Sequence, residues 1–298
     1  MTDAFDPRIV RLTIATPQVA ASGVGPTGTN TQVYEGLDIR ATGTIFSSCT
    51  MNQATIKVSN LTKDQRNSIL TTARPFIPLN GAPRTPIQVY LDVGRKSTGT
   101  FRLFEGNCWA SNVTSPPDIG ITLESLTNSF QTSAVDTLTF SGLTKLSTIA
   151  AAIASKYGWK LTPNPLTIDK QIANFSYIGS SQIAIKKLGE IGNVNAFLNN
   201  GVLHVIEKGA FVGHMAPITA HNGMVGIPQA CESGVSVRTL IRPDIHIGGA
   251  FKLTSNVNPA VNGDWIIKQL KFELASRDDP FWYTILGINT LQTNVGAG

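Results

Sequence analysis

Apolar and polar positions alternate along much of the first 130 residues. Ile87-Gln88-Val89-Tyr90-Leu91-Asp92-Val93 is the cleanest run, apolar at every second residue. Arg8 to Ile14, Leu37 to Ile45 and Ala54 to Val58 follow the same period more loosely, and Phe101 to Val113 and Ile119 to Leu126 add two further runs. A period of two sends successive side chains to opposite faces. These runs therefore predict antiparallel strands with one buried face, curled into a barrel or sandwich. One helix interrupts them: Thr62 is its N-cap, Gln65 the capping-box partner three residues on, and Ile69 with Leu70 the apolar edge, with Pro75 and Pro78 as the stop. Pro17 to Gln32, rich in Gly, Ser and Thr and without periodicity, reads as a long flexible loop.

The period changes in the middle of the chain. Leu146, Ile149, Ala150, Ile153 and Tyr157 recur at helical spacing, and Gly158 follows as a C-terminal stop. A short strand is expected around Trp159 to Leu161, then a turn at Pro163 and Pro165. A second helix spans Ser181 to Ile191 and presents Ile183, Leu188 and Ile191. Ala196 to Ile206 reads as a hairpin, because Asn200-Gly201 supplies the positive φ angles of a tight turn. Alternation returns from Met224, in Ser233 to Ile241, Trp265 to Leu274 and Trp282 to Ile288. The predicted fold is mainly β with a small α+β insert: a β-barrel over 1–139, a helix/hairpin domain over 140–210 and a second β-barrel over 211–298.

Composition shifts attention to assembly. Hydrophobic residues make up 42% of the chain and charged residues only 14%, less than a soluble monomer commonly places on its surface. Thr, Ser, Asn, Gly and Gln take their place, as expected where surface is covered by other subunits. The net charge of +5 is carried by scattered residues, the densest short run being Arg95-Lys96, which does not form the clustered cations of a nucleic-acid reader. Cys49, Cys108 and Cys231 are odd in number and too far apart for a disulfide framework and are expected as buried free thiols. Met1 to Asp6 lacks the layout of a secretory signal, and no apolar run reaches the ~18 residues of a membrane helix. A protein made and folded in a cytoplasm, without stable membrane insertion, is expected.

Catalytic chemistry finds no foothold. Gly23-Val24-Gly25-Pro26-Thr27-Gly28 has the spacing of a dinucleotide loop, but Pro26 sits inside it and no helix follows. His204, His214, His221 and His246 show no i, i+4 pair and no neighbouring Cys pair for zinc. There is no Gly-x-Ser-x-Gly elbow, and Asp278-Asp279 beside Pro280 reads as a strand turn rather than a glycosidase acid pair. The expectation is no catalytic residue, no metal and no cofactor.

The order of segments carries a resemblance. Gly223-Met224-Val225-Gly226-Ile227-Pro228, the run Glu232 to Pro243, the Gly248-Gly249 turn, Asn262-Gly263-Asp264-Trp265 and Asp279-Pro280-Phe281-Trp282-Tyr283 together resemble the C-terminal barrel of the hub proteins at the centre of contractile phage-tail baseplates. The N-terminal part resembles the same family through Asn52 to Leu61, a helix carrying Arg66, Phe101 to Gly106 and Ser115-Pro116-Pro117, and the middle through the helix and hairpin of Leu188 to Ile206. The resemblance covers about residues 8 to 290. It implies two tail-tube-like barrels per chain in a homotrimer whose pseudo-six-fold ring joins the tail tube to a three-fold central spike. Its partners would be the tube protein, the spike protein and neighbouring baseplate proteins, with DNA passing transiently through the lumen. The protein would belong to the virion, assembled in the host cytoplasm. Phe101, Leu103, Phe104, Trp282 and Tyr283 are the candidate assembly-interface residues. The rival readings are a tail-associated peptidoglycan-degrading enzyme, which needs a paired acid in a cleft, and a carbohydrate-binding receptor module, which needs Trp exposed on loops.

Overall fold

A computed structural model describes residues 6–19, 26–72, 87–114, 119–128, 135–162 and 169–289. It is mainly β, with large antiparallel sheets, as the alternation predicts. Two compact units divide the chain. The first comprises Met1–Gly43, Asn52–Phe130 and Glu273–Phe281, and the second Thr44–Met51, Gln131–Phe272 and Trp282–Gly298.

Unit 1 holds β1 (Arg8–Val19), β2 (Pro26–Glu35), most of β3 (Ile39–Phe46), β4 (Gln53–Ser59), α1 (Lys63–Thr72), β5 (Ile87–Arg95), β6 (Gly99–Val113) and β7 (Gly120–Leu126). The strand order is β3-β4-β7-β6-β5-β1-β2. Cross-strand pairs fill its core: Leu12 lies opposite Leu91, and Ile56 opposite Leu123, all four buried. Ahead of α1, Thr62 and Gln65 exchange the two bonds of a capping box. The Gln65 N–H donates to Thr62 Oγ1 at 3.3 Å, and the Thr62 N–H to Gln65 Oε1 at 3.1 Å. Pro75 and Pro78 lie outside the described residues.

The expected loop from Pro17 to Gln32 is corrected to strand over 17–19 and 26–32, while residues 20–25 lie outside the described residues. β1 and β2 form a hairpin in register, with Ile14 opposite Gln32, Thr16 opposite Asn30 and Pro17 opposite Thr29. Periodicity could not reveal it: Gly28, Thr29, Asn30 and Thr31 are all exposed, so β2 has no buried face there to write an alternation into the sequence.

Unit 2 contains the helical insert. β8 (Asp136–Thr139) pairs with β12 (Ser176–Gly179), and β9 (Leu143–Lys145) with β11 (Gln171–Ala173). α2 (Leu146–Tyr157) and α3 (Ser181–Gly192) pack on a three-stranded sheet of β10 (Lys160–Leu161), β14 (Val202–Glu207) and β13 (Val194–Asn199). Leu146, Ile149, Ile153 and Tyr157 of α2 meet Ala184, Ile185 and Leu188 of α3 and Leu203 and Val205 of β14 in one core. Gly158 ends α2 at φ 71°, and Asn200 and Gly201 turn the hairpin at φ 46° and 70°. The face assigned to α3 is corrected. Ile183 and Ile191 are exposed, and the buried residues are Ser181, Ala184, Ile185, Leu188 and Gly192. Small residues set that phase, since a Cβ at Gly192 would stand 2.7 Å from Leu146 Cδ2.

The rest of unit 2 is a sheet of order β16-β17-β20-β19-β18-β15, with β15 (Met215–Thr219), β16 (Met224–Cys231), β17 (Gly234–Leu240), β18 (Ala250–Thr254), β19 (Gly263–Ala275) and β20 (Phe281–Asn289). β15 and β18 run parallel, an exception to the antiparallel expectation.

The first turn of α2 is capped from a distance. Lys145 provides no side-chain cap, and the Asp169 carboxylate instead accepts from the Ser147 N–H at 3.0 Å and the Ser147 hydroxyl at 2.6 Å. These bonds hold the Asp169 carboxyl below the ordinary carboxylate range. Asp169→Ala is expected to lower stability by about 1 kcal/mol, and Asp169→Asn by less, read as a lower urea midpoint with an unchanged slope.

Candidate assembly surfaces

The candidate interface residues fall in both units, Phe101, Leu103 and Phe104 on β6 of unit 1 and Trp282 and Tyr283 on β20 of unit 2. On β6 two register shifts decide which way the side chains point. The β5 register steps from Phe104 opposite Leu91 to Arg102 opposite Asp92, skipping Leu103. The extra residue lets Leu103 and Phe104 both turn inward, where both are buried, while Phe101 stays half-buried. On the β7 side the register skips Trp109, which is 41% exposed between buried Cys108 and Ala110. Sequence reasoning treated Trp109 as a strand residue and missed its exposure, because a bulge leaves no mark on a period-two pattern. The solvent side of β5 and β6 is otherwise polar: Arg102 pairs with Asp92 and stands 4.5 Å over the Tyr90 ring.

β20 divides its residues between two faces. Tyr283 and Ile285 are buried with Val235 and Val237 of β17, and burial pushes the Tyr283 phenol above its ordinary pKa. On the opposite face Trp282 lies across from Leu240, which is 39% exposed, and Thr284 across from Arg238. Leu286, Ile288 and Val225 are half-buried. The Arg238 guanidinium covers the Trp282 ring at 5.0 Å. The Trp282 indole N–H is buried yet has no acceptor among the described residues. Buried indole N–H groups usually find one, so this apolar face combines half-covered hydrophobic area with an unmet donor.

The insert exposes a second apolar patch. Val135 and Ile178, 76% and 73% exposed, lie toward the outer face of the β8–β12 pair, where Ile178 is opposite Thr137. Tyr177 and Leu138 occupy its inner face. Deeper in the insert His204 stacks on Phe197 at 4.9 Å, and its Nδ1 shares a hydrogen bond with the Thr162 hydroxyl at 2.8 Å. Burial, helped by the charge of His246, lowers the His204 pKa to about 4.

Among the described residues no group of three or more His, Cys, Asp or Glu side chains could hold a metal ion, and no helix is long and apolar enough to cross a membrane. The described chemistry is that of sheet faces, bulges and edges.

Such a layout is shared with structural proteins of phage tails. The 43 kDa tail protein of prophage MuSo2 from Shewanella oneidensis superposes with a TM-score of 0.61 at 9% identity, covering 96% of this chain and 97% of that one. The tail protein from Neisseria meningitidis MC58 gives 0.60 at 8% identity, covering 94% and 96%. The E. coli c3393 protein, a type VI secretion component described as similar to the T4 tail proteins gp27 and gp5, gives 0.57 at 11% identity, covering 85% and 73%. No curated protein matches the sequence. The sequence model of the baseplate hub gp41 family matches residues 10–287, and the chain belongs to that family. It is a structural protein of the phage tail baseplate, and the family is not one of enzymes.

A neutral His204 ties stability to pH. Its pKa is about 4 in the folded chain against an ordinary 6.5, so the unfolded chain binds the extra proton. Stability is complete above about pH 6.5 and falls as pH drops toward 4, by up to about 3 kcal/mol. His204→Gln is expected to flatten this part of the acid limb in melting temperatures followed from pH 7 to 4.

Proposed function

We propose that the chain is a homotrimeric hub of a contractile tail, whose ring of pseudo-six-fold outline joins the tail tube to a three-fold central spike and encloses part of the ejection conduit. The observation that carries this reading is the outer face of β17 and β20, where half-covered apolar residues surround a buried indole N–H without an acceptor among the described residues. A covering subunit supplies both the apolar contact and the acceptor. Leu103, Phe104 and Tyr283 face the chain's own interior, so contact along these two strands falls to Phe101 and Trp282, with Trp109 and Leu240 beside them.

The division into 1–139, 140–210 and 211–298 serves the same reading: two β parts repeat around the ring, and the helical insert, through Ile178 with the adjacent Val135, meets other baseplate proteins. Tube and spike proteins bind on opposite sides of the ring. DNA passes through a lumen of small and polar side chains, since rings of Lys or Arg would hold its phosphates. Assembly takes place in the host cytoplasm.

Light scattering tests the oligomer. The purified protein, alone or mixed with its tube or spike neighbour, is expected at three times the 31.8 kDa chain. A monomer that joins neither neighbour would overturn the proposal. Leu240→Asp is expected to shift the trimer toward monomer without lowering the melting temperature by more than a degree or two, because a surface change away from the core costs about 0.5 kcal/mol or less.

A further inference from the structure

The chain's strand edges are unequally defended. Among the described residues β15 pairs only with β18, and it is five residues long with Pro217 at its middle, whose carbonyl accepts from Arg242 Nη2 at 2.7 Å and Asn222 Nδ2 at 3.2 Å. Among them β16 likewise pairs only with β17, and its register breaks between Val225 and Gln229 at Gly226-Ile227-Pro228. A short strand, a proline and a bulge are the devices that keep an edge from pairing with another chain. β2 has a bulge only at its start, where the register with β1 skips Thr27, and from Gly28 to Glu35 its pairing is regular. It is ten residues long, has Pro only at its first position, and carries no charged residue before Glu35 at its last. Among the described residues its sole neighbour is β1.

Register tells which peptide groups of β2 are open. Lys96 N–H donates to Pro7 C=O at 3.1 Å, which makes Pro7 and Lys96 a hydrogen-bonded pair in the β1–β5 ladder. Backbone groups alternate sides along a strand, so those of Ile9, Arg11, Thr13 and Ala15 point to β5, and those of Leu12, Ile14 and Thr16 to β2. Their partners Tyr34, Gln32 and Asn30 face β1, which leaves Thr29, Thr31 and Val33 with N–H and C=O groups turned away from it. Pro17 agrees with this assignment. It stands opposite Thr29, where no N–H is required toward β2, and beyond Ala15, where the pairing with β5 ends. From Thr16 outward, β1 and β2 are therefore a two-stranded ribbon. Such ribbons are marginal in water without a third element. The side chains at the open row are β-formers on a solvated face, with Val33 58% exposed.

We propose that the β2 edge is completed by an extended strand of a neighbouring copy of this chain, through the N–H and C=O groups of Thr29, Thr31 and Val33. Neutrality favours a copy: two chains each carrying +5 meet here without a like-charged pair until Glu35, which is already held by Arg11 at 2.7 Å. The row offers no charge or large aromatic by which a foreign protein would be selected. In a closed cyclic trimer the contact is heterologous, so β2 of each copy meets a different segment of the next copy and no edge is left open. This inference rests on the homo-oligomer proposed above and assigns it a contact.

Thr31→Pro is the test, because it removes an outward N–H while leaving every β1–β2 ladder bond in place. Thr31→Val keeps that N–H and is the control. Wild type, Thr31→Pro and Thr31→Val are compared by mass photometry over a dilution series, with melting curves in parallel. The expected result is wild-type and Thr31→Val trimers, and a Thr31→Pro trimer that dissociates at about tenfold higher concentration or more with an unchanged melt. A trimer equally tight in all three proteins overturns the β2 assignment and leaves the trimer standing. A wild-type chain that never self-associates overturns both. Thr31→Pro weakening only mixtures with tube or spike protein shows a foreign strand at this edge and overturns the assignment to a copy.

Discussion

Every sheet must end somewhere, and its last strand turns peptide N–H and C=O groups toward whatever lies beyond. Inside a ladder those groups satisfy one another, but at an edge they need water, a covering element or another chain. A protein made almost entirely of strands meets this constraint at each outermost strand. Here the answers differ: a proline and an arginine clamp close β15, a bulge breaks β16, and β2 pairs regularly and carries no charge from Gly28 to Tyr34. The low share of charged residues belongs to the same economy of surface, since faces that other subunits cover have no use for charge.

Bulges do the complementary work within the sheets. An inserted residue reverses the facing of everything beyond it, so β6 turns Leu103 inward and Trp109 outward without changing its overall course. β20 needs no bulge: strict alternation gives Tyr283 to the core and Trp282 to the outer face. Two aromatic residues adjacent in sequence thereby take opposite places, Tyr283 in the core and Trp282 half-buried on the outer face.

Much of the fold was legible wherever one face is buried and the other is not. β5 announced itself through Ile87, Val89, Leu91 and Val93, α2 through Leu146, Ile149 and Ile153, and the insert hairpin through Asn200-Gly201. The β1–β2 pairing was hidden because Gly28, Thr29, Asn30 and Thr31 of β2 are all exposed, and period-two reasoning then sees only polar, Gly-rich sequence. α3 was placed but rotated, because Ala184 and Gly192 form its contact through smallness, which a count of large apolar residues ignores. β8, β9, β11 and β12 are too short to show a period, and β15 hides behind Pro217. The candidate interface was legible only as a choice of strands. Which residue of Phe101, Leu103 and Phe104 reaches the surface depends on a register shift that lies in the pairing with β5, not in β6 alone.

The central claim is that this baseplate hub protein works as a ring, with its outer faces and open edge covered by copies and neighbours. Electron-microscopic averaging of the purified assembly, viewed down its axis, tests that claim most directly. The account predicts three-fold averages with a six-lobed outline and an open channel. Averages with two-fold symmetry, or a closed centre, would contradict it.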